Sequence, residues 1–432
     1  MEMGTPQKLR VWGGVECTVN RVDERFSNQL ERSGHWDRGG DIQLFAELGL
    51  RTLRFPMLWE LLAPNSLENI DWSWADARLA RMQELGIRPI AGLLHHGSGP
   101  RYTDLLDPQF PDKFASYARA VAERYPWIDA YTPINEPLTT ARFSALYGHW
   151  YPHKRDDLSF ARAFLAQCRA TVLAMRAIRE VNPRAQLIQT EDFGKTFSTR
   201  LLAYQAQFEN DRRWITWDLL SGMVERSDPM WSYLRWAGIA ESDLEIFRRE
   251  PCPPDILGVN HYVTSERFLD ENIAAHPPET WGGNGRHRYA DVAAVRSDAT
   301  DIAGAKNLLL EIWQRYGRTI AVTEAHLGCT VDEQLRWFME IWQAALDARA
   351  QGAYVTAVTS WALLGSFDWN SLLTREDDYY EAGAFDVFDG NPRPTLLAEM
   401  IRGLAAENHF EHPFLLEPGW WRRESRLERR CA

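Results

Sequence analysis

Thr132-Pro133-Ile134-Asn135-Glu136-Pro137 decides how this 432-residue chain is read. The residues before it, Ile128-Asp129-Ala130-Tyr131, make a short apolar and aromatic run of the kind that becomes a buried strand. Pro133 and Pro137 punctuate its end, and Pro137 biases Glu136 away from helical geometry. A Glu held at a strand terminus beside an Asn is costly to bury and useful when poised. An ordinary strand-to-loop residue is the competing reading of this stretch alone. Ile320-Ala321-Val322-Thr323-Glu324-Ala325-His326 then repeats the pattern, a β-branched run with Glu at its end. Carboxylates so distant in sequence meet only where a fold gathers several strand ends at one rim, as a barrel of parallel strands does.

Working outward, strand and helix signals alternate strictly. Strands are expected at 11–15, 51–55, 89–94, the opening stretch, 185–190, 255–260, 318–323 and 354–361. Helices are expected at 41–48, 72–85, 112–124, 159–181, a Trp-rich region through 224, 305–316, 332–351 and 394–404. In the helix at 332–351, Leu335, Phe338, Trp342 and Ala345 share one face, and Gly352 stops it. Eight such units without a composition break predict a single (β/α)8 TIM barrel with long strand-to-helix loops over residues 1–405. Residues 264–300, with Pro277-Pro278 and Gly282-Gly283-Asn284-Gly285, read as one long loop at the active rim. Residues 406–432 read as a C-terminal tail, a packed Trp420-Trp421 pair followed by a frayed, mixed-charge end.

Composition narrows the partners. The chain is 45% hydrophobic and 25% charged, with a net charge of −12. That acidity argues against nucleic acid or an anionic membrane. Met1 to Arg10 is polar, without a signal peptide, and no apolar run approaches the ~20 residues of a spanning helix. Cys17, Cys168, Cys252, Cys329 and Cys431 are odd in number and lack metal spacing, so free thiols and a cytoplasmic location are expected.

The strand ends collect two Glu with amide, imidazole and indole groups, an inventory suited to a carbohydrate substrate. Two carboxylates flanking a glycosidic bond are what glycoside hydrolysis requires. The competing use of His and Glu is a metal, but no His-x-x-x-His or comparable cluster occurs. No metal or cofactor is implied.

Several motifs then fall in a shared order. They are Trp12-Gly13-Gly14, His35-Trp36-Asp37-Arg38 with Asp41-Ile42, Arg54-Phe55-Pro56, Asn135-Glu136-Pro137, Asn260-His261-Tyr262, Val322-Thr323-Glu324, the segment Trp361 to Trp369, and Gly383-Ala384-Phe385. From about Trp12 to Ala405 the chain resembles the family-1 glycoside hydrolases, retaining β-glycosidases. The resemblance implies Glu324 as nucleophile, supported by Arg54 and Tyr262, and Glu136 as acid and base. It implies that Asn135 binds the 2-hydroxyl, that Asn20, His96, Asp368 and Trp369 hold the other hydroxyls with Asn260, and that Trp361 forms the floor. His95 reads as a core or supporting residue. The chain departs from the family pattern in Ala325-His326 after the nucleophile, in Asn20 for Gln, and in Asp368 for Glu. Both polar arms lose one methylene, which predicts a roomier pocket and a glycone other than plain glucose, altered at C4 or C6. A transglycosidase with the same pair remains open. So does a non-catalytic sugar-binding domain, and Trp420-Trp421-Arg422-Arg423 resembles a junction to a sugar-nucleotide reductase domain, which would associate it with sugar-nucleotide metabolism.

Overall fold

The computed structural model describes residues 8–427. The expectations for the first residues, for Glu428 to Arg430 and for Cys431 therefore fall outside the described residues. Eight parallel strands close into one barrel: β1 (Arg10–Gly14), β2 (Thr52–Pro56), β3 (Arg88–His95), β4 (Ala130–Asn135), β5 (Gln186–Asp192), β6 (Ile256–Asn260), β7 (Thr319–Ala325) and β8 (Val355–Ser360). Each pairs with its sequence neighbours, and β1 pairs with both β2 and β8. Their residues are buried on both faces, because side chains fill the inside while helices cover the outside. Trp12, Ile90, Ala130, Ile188, Ile256, Ala321 and Ala357 form a closed cluster inside the barrel. This layer plugs the barrel and leaves the opposite end, where the strands finish, for chemistry.

The helices follow from local signals. Asp156 caps Asp157–Val181 by accepting from the Ser159 N–H at 2.8 Å. Val331–Ala350 buries Leu335, Phe338, Trp342 and Ala345. Gly352, at φ +95°, turns the chain out of it. Helices at Pro229–Trp236 and Glu241–Arg249 were not expected from the sequence.

Residues 264–300 are not one long loop. Arg267–Asp270, Trp281–Gly283 and Arg288–Ala293 join Thr196–Ser198 in a four-stranded sheet. Phe268, Ala290, Val292 and Ala294 give it a small core of its own. The strands are short, and the turn-rich residues between them mask their alternation.

The segment after residue 406 packs on the barrel. Trp420 and Trp421 are buried. Glu333 accepts from the Trp420 N–H at 3.0 Å, and Glu340 from the Trp421 indole at 2.8 Å. No helix among the described residues is long and apolar enough to cross a membrane.

Candidate active site

Two local irregularities aim the carboxylates. In β7 the register against β6 slips between Val322 and Glu324, so that Glu324 stands opposite Asn260. Such a bulge re-aims a side chain at a strand end, and the Thr323 hydroxyl pins this one by donating to Asn260 Oδ1 at 2.7 Å. After β4, Glu136 takes a left-handed backbone, φ +44° and ψ +64°, and Pro137 opens a short helix, Pro137–Ala141. His96 and Asp368 also hold positive φ, +55° and +59°. Strained backbone thus gathers at the strand ends, as it does at functional sites.

The two carboxyls have different neighbours. Arg54 donates to Glu324 Oε1 at 2.6 Å and to the Thr323 carbonyl at 2.9 Å. The Tyr262 hydroxyl donates to Glu324 Oε2. Burial pushes the Glu324 carboxyl up to about 7, against the opposing pull of Arg54 and Tyr262. Around Glu136 no arginine or lysine lies within ion-pair distance among the described residues. Its nearest partners are the Asn260 amide, 2.5 Å from Oε1, and His96 Nε2, 3.9 Å from Oε2. Burial first, then the charges of Glu324 and Asp192, push it well above the usual carboxylate range. Burial and Arg54 drive His96 down to about 3, so it is a neutral neighbour. Above about pH 7, then, the pair holds a proton on Glu136 and a charge on Glu324.

Both carboxyls line a cavity of about 660 Å³ with Tyr262, His96, Trp361 and Trp369. Trp361 lies flat on His95, ring centres 5.3 Å apart, and beneath the Arg54 guanidinium at 4.6 Å. Gly14 makes room for it, since a Cβ there would meet the Trp361 ring at 2.6 Å. Arg54 and Asn135 sit one layer behind the wall. Asn135 Oδ1 accepts from Arg54 at 2.7 Å and from Thr190 at 2.8 Å, which turns its amide NH2 toward His95 and His96, each at 3.3 Å.

Besides Asn135, three further residues expected to hold sugar do not line the cavity. Asn260 commits its amide to Glu136 and Asn135 and acts through them. Asn20, fully buried, donates to the Leu373 carbonyl at 3.4 Å. Asp368 accepts from the backbone N–H groups of Asp377 and Tyr379 at 3.0 and 2.9 Å and faces Arg32 at 3.0 Å. The 368–379 loop has closed around both shortened arms, so the roomier pocket inferred from their length is corrected: protein fills the gap. Trp150, reaching across to the Leu372 carbonyl at 2.7 Å, holds that loop in place.

Two groups without a role assigned from the sequence occupy the wall. Glu16 lines the cavity, accepting from Thr18 N–H at 2.9 Å and from the Trp361 indole at 3.3 Å. Its signal was an acid inside Gly14-Val15-Glu16-Cys17, an otherwise uncharged strand exit. His326, the departure after the nucleophile, also lines the cavity and pairs with Glu381 at 3.2 Å. Among the described residues no three His, Cys, Asp or Glu side chains are grouped closely enough to hold a metal ion.

Comparison with known proteins matches residues 33–376 to the sequence model of glycosyl hydrolase family 1. Beta-glucosidase 4 of Oryza sativa is 25% identical over 403 residues, 83% of this chain and 82% of the relative. A 6-phospho-beta-glucosidase of Clostridium longisporum is 26% identical over 159 residues, a third of each chain. Among solved structures, a family 1 β-glucosidase from Thermotoga maritima superposes with a TM-score of 0.75 at 15% identity, covering 94% of this chain and 100% of that one.

Proposed function

The chain belongs to glycosyl hydrolase family 1, and from that premise we propose that it cleaves a β-glycoside with retention at the anomeric carbon. It is a glycoside hydrolase resembling β-glucosidases. Retention follows from the family, and the observation that assigns the two roles is the unequal environment of its two buried carboxyls. Glu324, charged and steadied by Arg54 and Tyr262, attacks the anomeric carbon and forms the glycosyl-enzyme ester. Glu136 gives its proton to the departing oxygen. It then takes one from a water molecule, which breaks the ester and returns Glu324 to its charged form. The Asn135 amide, its oxygen committed to Arg54 and Thr190, supports a donor role toward the 2-hydroxyl.

The glycone is proposed to be something other than plain glucose. The support is no longer a wider pocket but a different wall, with Asn20 and Asp368 withdrawn and Glu16 and the His326–Glu381 pair lining the cavity. Cys17, Cys168 and Cys252 are buried free thiols, which supports a reducing compartment such as the cytoplasm. A panel of aryl β-glycosides, with the first-formed anomer read by NMR, tests this reading. A β product is expected. An α product would place the chain outside the retaining mechanism, and transfer to an added sugar in preference to water would make it a transglycosidase.

A further inference from the structure

Whatever leaves with the protonated oxygen must lie on the Glu136 side of the cavity, because Glu136 delivers the proton. The segment that follows Glu136 builds that side. Thr139, Arg142, Phe143 and Tyr147 all line the cavity, the last three from the π-helical turn Arg142–Leu146 and its cap. Arg142 stands apart from the other arginines of the wall. Arg212 is held by Glu209, Arg213 by Glu311 at 2.5 Å, and Arg267 by Asp291 at 2.8 Å. Among the described residues Arg142 has no carboxylate within ion-pair distance. Its one hydrogen bond is a long one, 3.5 Å to the Thr139 hydroxyl, and its Nε is buried without a partner.

We propose, building on the hydrolase reading above, that Arg142 is a specificity residue for the leaving group, and that the natural aglycone is an aromatic ring carrying a carboxylate. A guanidinium that lines the cavity and lacks a counterion is a ready partner for a planar carboxylate, which it can grip with two parallel hydrogen bonds. The rings of Phe143 and Tyr147, centres 6.0 Å apart, supply the apolar surface next to it. The other wall acids sharpen the placement. Glu209, Asp291 and Glu381 each have a cationic or imidazole partner. Asp192, whose side chain accepts only from the Ser265 hydroxyl among the described residues, disfavours an anion placed beside it. Burial pushes the nearby Glu191 up to about 8, so that acid does not neutralise Arg142 at pH 7.

The test compares 4-carboxyphenyl and 4-carbamoylphenyl β-glycosides, built on the glycone that wild type cleaves fastest as a 4-nitrophenyl glycoside. The amide is the better leaving group, so a preference for the acid reports recognition. Wild type is expected to favour the carboxylate in kcat/KM by about tenfold. In Arg142→Gln that ratio is expected to fall to one or below, and in Arg142→Lys to recover in part. Calorimetry with 4-hydroxybenzoate and 4-hydroxybenzamide reads the same ratio without turnover. An equal ratio in wild type and Arg142→Gln, or no preference in wild type by either method, overturns the proposal. A chain that binds the acid through Arg142 yet cleaves no glycoside would instead overturn the hydrolase reading and leave the anion site standing.

Discussion

Glu136 and Glu324 end two strands of one barrel, are equally withdrawn from solvent, and yet face opposite electrostatic tasks. At β7 a bulge points the carboxyl at a guanidinium and a phenol, two donors that favour the charged form. At β4 a left-handed residue points it at an amide, a neutral imidazole and two acids, which favour the proton. The contrast teaches that the division of labour between two acids is made by what surrounds them, since their burial is the same.

Exchanging the residues themselves tests the contrast hardest. Glu324→Gly should lower turnover by about 10⁴-fold or more, and added azide should restore it with inverted product. Glu136→Ala should keep the first step fast for a good leaving group, and azide should then give a retained glycosyl azide. If the two variants behaved the other way round, the assignment would be reversed.

Removing the support of one carboxyl should move one limb of the pH profile. With Glu324 needed charged and Glu136 protonated, kcat/KM rises as pH passes about 7 and falls again once Glu136 ionises. Arg54→Met leaves Glu324 buried without its cation, a loss of roughly 3–5 kcal/mol. It should therefore cost about 10²–10³-fold in kcat/KM and carry the acid limb upward. Tyr262→Phe removes one charge-assisted bond and should shift the same limb less, with a loss of about tenfold. A reduced rate with an unmoved limb in either variant would mean that the partner only packs against Glu324. Asn260→Ala acts on the other carboxyl. Because its amide favours the charged form of Glu136, losing it should raise the basic limb at a cost of only a few-fold at neutral pH.

An effect on stability rather than turnover lies outside the pair and shows what burial does with no catalytic partner. Burial pushes Glu60 up to about 8, so between its ordinary value and pH 8 the folded chain binds the extra proton. Stability from this group therefore declines as pH rises through that window. Glu60→Gln should be nearly neutral at pH 5 and stabilising by ~2 kcal/mol at pH 8, read as a Tm difference that widens with pH. A constant difference would remove the link to ionisation.

The barrel and the two acids were legible in the sequence because each depends on short, local signals. A buried run such as Ile320-Ala321-Val322 and a Glu at its end need no knowledge of the rest of the chain. Arg54 followed from the family resemblance, and its contact with Glu324 fits the expected supporting part. What could not be read was how loops close. Asp368 was judged by the length of its side chain, but the N–H groups of Asp377 and Tyr379, nine and eleven residues later, decide where it points. Asn20 is held by a backbone carbonyl from the other end of the chain. The sheet within residues 264–300 was hidden by its own turns, and Glu16 by the short strand exit that carries it.

The left-handed backbone at Glu136 is one that glycine adopts freely, whereas any other residue pays about 1–2 kcal/mol for it. Its buried, protonated carboxyl adds a further cost. A chain with glycine there would lack its acid and base and, on balance, be hardier to heat, since the about 1 kcal/mol that glycine loses in entropy is the smaller figure. In a lineage no longer selected for turnover, nothing would hold the glutamate in place, and glycine there would leave a sturdier barrel that has forgotten its chemistry.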